Sequence, residues 1–208
     1  MFYGELYGDA TRNGTLFDDN VSNWDIMTIA DGDVTRANKT LATLLHAING
    51  TDEEFYVFFN EHLGDEYLKY YALTLLLDEN RIDDYHNHKL YFNPSNGFFE
   101  PIVWDIMPFT GNNISLNGPE ANALFAKIDH IPQYVQRRNL FLKQYMDEMP
   151  EEVLDAYIDN ESSLIAYEME HAKYKDSSEI PRVVTAEQWN TSLSNFKSDI
   201  HERYSSLQ

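Results

Sequence analysis

The chain has 208 residues, with 15 Lys and Arg against 35 Asp and Glu and a formal net charge of −20. So acidic a surface repels phosphate backbones, which makes nucleic acid a poor first guess for a partner; it suits cations, basic proteins or simple solubility. Hydrophobic residues make up 43% and aromatics 14%, enough to bury a core, and the absence of cysteine excludes disulfides, thiolate metal sites and Cys nucleophiles.

Residues 1–32 are rich in Gly, Asp and Asn, and predict strands or loops with turns near Asn13-Gly14 and Asp31-Gly32. Asp33 is placed to cap a helix running to about Ile48, with Leu41, Leu44, Leu45 and Ile48 on one face. Asn49-Gly50 stops it. Thr51 and Glu54 form a capping box for the next helix, which turns Phe55, Phe58 and Phe59 inward. Gly64 breaks the pattern again. A long apolar helix then runs from Asp65 to about Leu77, with Leu68, Tyr71, Ala72, Leu75 and Leu76 at helical spacing.

A polar stretch from Asp78 to Asn87 follows, then two predicted strands, His88–Phe92 and Phe98–Trp104, around the turn Asn93-Pro94-Ser95-Asn96-Gly97. After a loop from Ile106 to Gly118 the chain reads as helical almost to its end, with Pro119, Pro132 and Pro150 suited to first helical turns. Lys175–Ile180 reads as a linker. The last helix, from about Ala186, carries Trp189, Leu193, Phe196, Ile200 and Tyr204 on one stripe that predicts core packing. The expectation is a single α+β domain, mostly helical, with one central β-hairpin.

The N-terminus has no basic region followed by an apolar run, so no signal peptide is read, and no apolar stretch approaches the roughly 18 residues of a membrane helix. Asn-x-Ser/Thr sequons begin at Asn13, Asn20, Asn38, Asn49, Asn113, Asn160 and Asn190. They fit a glycosylated secreted protein or an Asn-, Ser- and Thr-rich sequence that carries no sugar.

The residues that bear chemistry lie around the hairpin. Asp83, Asp84 and Asn87 precede it and Asp105 follows it, which brings carboxylates and an amide to neighbouring strand ends. Their hard oxygens suit Mg²⁺ or Mn²⁺. Protein kinases use the same order of parts: a catalytic-loop Asp, a metal-holding Asn, a hairpin and a second metal-holding Asp. Taken singly, these residues are also ordinary turn formers.

Asn80-x-x-Asp83 through Asn87-x-x-Leu90-Tyr91, then Val103-Trp104-Asp105 and Gly111, resembles the spore-coat protein H (CotH) kinase-like family. Ile131–Arg138 and the terminal stripe ending near Arg203 are similar to its helical C-terminal portion. The resemblance implies a reduced protein-kinase-like C-terminal lobe. It also implies ATP with a divalent metal, transfer to Ser of a protein substrate with Ser-rich or basic segments, and a spore-coat, secreted or cell-surface setting. Carried over by position, Asp83 or Asp84 is the catalytic base, Asn87 and Asp105 are metal ligands, and Trp104 is structural.

Three departures bear on activity. Asp83 stands four residues before Asn87, one fewer than in the kinase loop. Met107 replaces the second Asp of the Trp-Asp-x-Asp pattern, and a thioether is a poor Mg²⁺ ligand. The family's Arg-Gly-Asn-Ser-type stretch and nucleotide-contacting Lys are not found, so the resemblance covers the later part of the family domain. Residues 1–32 then form an irregular or strand segment, 33–78 helices, 79–111 the catalytic loop, hairpin and metal Asp, and 119–208 the helical remainder.

Two other function classes stand beside the kinase reading. One is a non-catalytic surface or coat interaction module that keeps the fold. The other is a metal nuclease with an HNH-like motif at His86-Asn87-His88, or a Zn²⁺ site using those histidines. The acidic charge opposes the nuclease, and His88 in strand alternation reads as a hydrogen-bonded side chain. Arg137-Arg138 reads as a helix-surface ion-pairing site.

Overall fold

The computed structural model describes residues 4–9, 15–29, 32–83, 87–109, 122–171 and 185–208. Among them the fold is α+β and mostly helical: seven helices and a small antiparallel sheet. Strands β1 (Glu5–Asp9), β2 (Trp24–Ile29), β3 (Lys89–Asn93) and β4 (Phe98–Pro101) lie in the order β2-β1-β3-β4. The hairpin expected from the sequence is therefore half of a four-stranded sheet. Its β3 pairs with β1, Tyr7 opposite Leu90, and β4 is an edge. Alternation then sends Tyr7, Leu90 and Phe99 into the core.

The second strand ends at Pro101, short of Trp104, although the Ile102 N–H still donates to the Lys89 carbonyl at 2.9 Å. Trp104 is half exposed, with the Lys89 ammonium 3.1 Å above its ring. It is a surface cation–π partner rather than a core anchor. The turn closes with Gly97 at φ +78°, a left-handed conformation that glycine adopts at little cost. Asn93 accepts from the Ser95 backbone N–H at 3.1 Å, and Asn96 from that of Phe98 at 3.0 Å.

Helix α1 (Val34–Asn49) begins at Asp33, which accepts from the Arg36 N–H at 2.9 Å, and α2 (Asp52–His62) begins with the full Thr51/Glu54 capping box. Gly64, at φ +64°, lets the chain turn directly into α3 (Gly64–Leu76). The predicted inward residues of all three helices are buried. Tyr71 stacks flat on Phe125 of α4 (Ala123–Asp129), ring centres 3.9 Å apart.

Pro132 opens α5 (Pro132–Glu148). The Pro150 carbonyl accepts from Val153 and Leu154 at the start of α6 (Glu151–His171). In α7 (Ala186–Leu207), Ile200 and Tyr204 are buried and Phe196 packs beside them, while Trp189 and Leu193 are half-buried. The predicted stripe is thus core only in its C-terminal half. Asn13-Gly14, Pro119 and Lys175–Ile180 lie outside the described residues.

Arg137 pairs with Asp65 at the surface, as its exposed helical position predicts. Arg138 does not: it is 2% exposed, stacks on Tyr71 and pairs with Asp129, which also accepts from the Tyr71 hydroxyl at 2.6 Å. Burial pushes the Asp129 carboxyl above the ordinary carboxylate range despite these partners. No described helix is long and apolar enough to cross a membrane.

Candidate functional site

Helix α3 ends at Leu76, and its cap Leu77 hands the chain to Asp78, whose φ of +55° turns it out of the helix. Glu79 is the next residue and is buried at 1% exposure. Its Oε1 accepts from the Arg81 backbone N–H at 2.8 Å, and from Arg81 Nε at 3.3 Å. Its Oε2 accepts from the Met107 N–H. The Arg81 guanidinium reaches on to Asp105: Nη1 lies 3.4 Å from Oδ2, and Nη2 donates to the Asp105 carbonyl. The Phe109 N–H then donates to the Leu77 carbonyl at 2.6 Å. Two segments far apart in sequence, 77–81 and 105–109, are laced together by these bonds.

Asn87 joins the same network. Its side-chain amide donates to the Arg81 carbonyl at 3.2 Å, which leaves Oδ1 as an available oxygen. Asn87 and Asp105 both adopt left-handed backbone, φ +61° and +48°, as do Asp78 and Phe109. Asn and Asp tolerate this region best among non-glycine residues, and such conformations concentrate at functional sites. Asp83 is half-buried on the loop between Arg81 and Asn87. Asp84 and His86 lie outside the described residues, as does Gly111. The structure thus connects Asn87 and Asp105 through Arg81.

The base of the loop is supported from both sides. On one side, Ile82 is fully buried, and its carbonyl accepts from Asn122 Nδ2 at 2.8 Å. The same amide lies 2.7 Å from His88 Nε2. His88 is 1% exposed between Phe17, Trp24 and Phe125, and burial pulls its pKa down to about 3. Enclosed by these rings, with Nε2 against the Asn122 amide, His88 is a packing residue, and this enclosure argues against its use as a Zn²⁺ ligand or nuclease base. On the other side, Arg203 of α7 donates through Nε to the Leu75 carbonyl at 2.8 Å, with Nη1 3.8 Å from Asp78 Oδ1. Phe109 packs edge-on against Phe196 of the same helix, ring centres 5.8 Å apart.

The donor set has the chemistry a hard divalent ion takes. Asp105 offers a carboxylate that is 56% exposed and Asn87 an amide oxygen. Arg81 already sets one positive charge against that carboxylate, and the thioether of Met107 adds no hard donor. Among the described residues no group of three His, Asp or Glu side chains converges as a metal cluster. Sequence reasoning missed Glu79 and Arg81. Nothing in apolar periodicity marks a carboxylate for burial inside a polar run; the one signal is that this run directly follows a buried helix, where unpaired backbone groups need partners.

The family model described as CotH kinase protein matches residues 23–207 of the chain. No curated protein matches it.

Proposed function

The chain belongs to the CotH kinase family, and on that premise we propose that it is a kinase-like phosphotransferase, moving the γ-phosphoryl group of ATP to Ser hydroxyls of a protein substrate. In the transfer the bond from the γ-phosphorus to the bridging oxygen breaks, a bond to the Ser oxygen forms and ADP leaves. Asp83 or Asp84 orients the hydroxyl and takes its proton. Asp105 and Asn87 would hold Mg²⁺ or Mn²⁺, which when bound neutralises charge on the phosphate oxygens. The observation that supports this reading is the lacing of residues 79–81 and Asn87 to the Asp105 segment through Glu79 and Arg81. Phosphoryl transfer needs positioning more than covalent help, and the lacing fixes the relation of the two segments.

The net charge of −20 favours basic substrate segments over acidic ones. The test is transfer of labelled γ-phosphate to Ser-containing basic peptides, with Asp83→Asn and Asp84→Asn compared side by side. One of the two is expected to lose transfer while the other keeps it, and Asp105→Ala is expected to lose it as well. Equal residual labelling in all three variants would sink the assignment.

A second reading is a non-catalytic interaction module on the same fold. The pairing of Arg81 with Asp105, next to Met107 where the family has an Asp, favours it: a guanidinium meets the carboxylate where a cation would otherwise sit. Unaltered thermal stability on addition of ATP with Mg²⁺ or Mn²⁺ would support this reading over the first.

A further inference from the structure

Helix α6 is apolar on two opposite faces. Leu154 and Ile158 pack inward, onto the cluster that holds Leu142, Ile200 and Tyr204. At 100° per residue, the opposite face carries Val153, Tyr157, Leu164 and Tyr167 within one narrow stripe. These side chains are 53%, 64%, 68% and 67% exposed, so the described residues leave them uncovered. With Asn160 between them and His171 beyond, the stripe advances by alternate steps of four and three residues. That is the seam spacing of a helix that pairs with another helix, with a polar Asn at one seam position setting register. His171 stacks on Tyr167, ring centres 4.3 Å apart.

Charge identifies the occupant. The 21 residues of α6 include no Lys or Arg, and the helix carries seven acidic residues. Glu161 and Glu168 are exposed along one edge of the stripe. Two copies of α6 set face to face would place these carboxylates against like charge, whereas Lys and Arg flanks on a partner helix would neutralise them. We propose that the outer face of α6 is a docking seam for a basic amphipathic helix of another protein. Its apolar side lies against Val153, Tyr157, Leu164 and Tyr167, and its cationic flanks lie against Glu161 and Glu168.

The test uses the whole chain and a labelled synthetic peptide of the same length as α6, with Leu and Ile on the seam and Lys on the flanks. Two control peptides carry Glu flanks or a scrambled order with the Lys content kept. Fluorescence anisotropy is read at low and high salt, on the wild type, on Leu164→Ser and on the Tyr157→Ser/Leu164→Ser variant. Both positions are exposed, so the variants are expected to melt with the wild type. The Lys-flanked seam peptide is expected to bind at least about tenfold tighter than either control, to lose about tenfold or more in the double variant, and to weaken with salt. Equal binding of the scrambled peptide, or unchanged binding in the double variant, overturns the proposal, since general attraction to an acidic protein explains both. Sedimentation showing a wild-type dimer that Leu164→Ser dissociates also overturns it, because a second copy then covers the face.

Discussion

The buried carboxylate of Glu79 accepts the backbone N–H of Met107 with one oxygen while the other holds Arg81. With Arg81, whose side chain reaches from Glu79 to Asp105, it ties the loop after α3 to the segment after the hairpin. Removing it strands Met107 N–H and loosens Arg81 together. Glu79→Ala is expected to cost about 3 kcal/mol of stability, the order seen when a buried charged partner is deleted. Glu79→Gln keeps both acceptor directions in part, since one of its two positions becomes a donor, and should lose less. Urea denaturation of the pair checks this; equal losses would show that Gln's remaining acceptor contributes nothing and that the intact carboxylate is required.

Arg81 competes with any cation for Asp105. Calorimetric titration with Mn²⁺ should show no binding in Asp105→Ala, with only a small fall in melting temperature, because Asp105 is largely exposed but its left-handed backbone disfavours Ala. Arg81→Met should bind Mn²⁺ more tightly than wild type, by about fivefold, given a part-exposed pair worth at most ~1 kcal/mol. Weaker binding in Arg81→Met would mean instead that the hold of Arg81 on the Asp105 carbonyl is what presents the carboxylate.

His88 links stability to pH. Its pKa falls from an ordinary 6.5 to about 3 on folding because the charged form loses its water. The unfolded chain therefore takes up a proton below pH 6.5 that the folded chain refuses. Stability from this group is fully present above 6.5 and declines as pH falls from there toward 3, by about 1.4 kcal/mol per pH unit once the unfolded form is protonated. Between roughly pH 6.5 and 5 the carboxylates stay mostly ionised, so the effect is separable. His88→Gln should flatten the dependence of the urea midpoint on pH in that window. An unchanged slope would contradict the buried neutral state.

Arg203 is the polar contact by which the last helix supports the loop, beside the packing of Phe196 on Phe109. Its side chain is 3% exposed and meets the Leu75 carbonyl and Asp78. Arg203→Ala is expected to destabilise the fold by about 3 kcal/mol or more. It should also speed hydrogen exchange at Asp78 and Phe109 more than in β3, which lies away from α7. Uniform acceleration across the chain would argue against a local supporting role.

The helices were legible because their signals are local. Asp33 and the Thr51/Glu54 box mark starts, and the Leu and Phe spacings of α1 to α3 mark inward faces that the structure buries. The hairpin was legible from Asn93–Gly97, but its neighbours were not: β1 joins β3 across some eighty intervening residues, and strand pairing at that separation leaves no local trace. Arg138 was misread as a surface residue because helical position alone does not reveal that Tyr71 and Asp129 enclose it. Around the candidate site, the order of Asn87 and Asp105 along the chain already suggested that they lie near one another, and Arg81 connects them. Glu79 and Arg81 were not legible, since a buried carboxylate in a polar run looks like a solvated one until its partners are placed.

The most direct test of the kinase-like account is a thermal shift of the whole chain with ATP, alone and with Mg²⁺ or Mn²⁺. Binding to the folded state raises the midpoint as ligand exceeds its dissociation constant. The account predicts a rise that requires nucleotide and metal together and that is absent in Asp105→Ala. No rise with both present, or the same rise in Asp105→Ala, would contradict it.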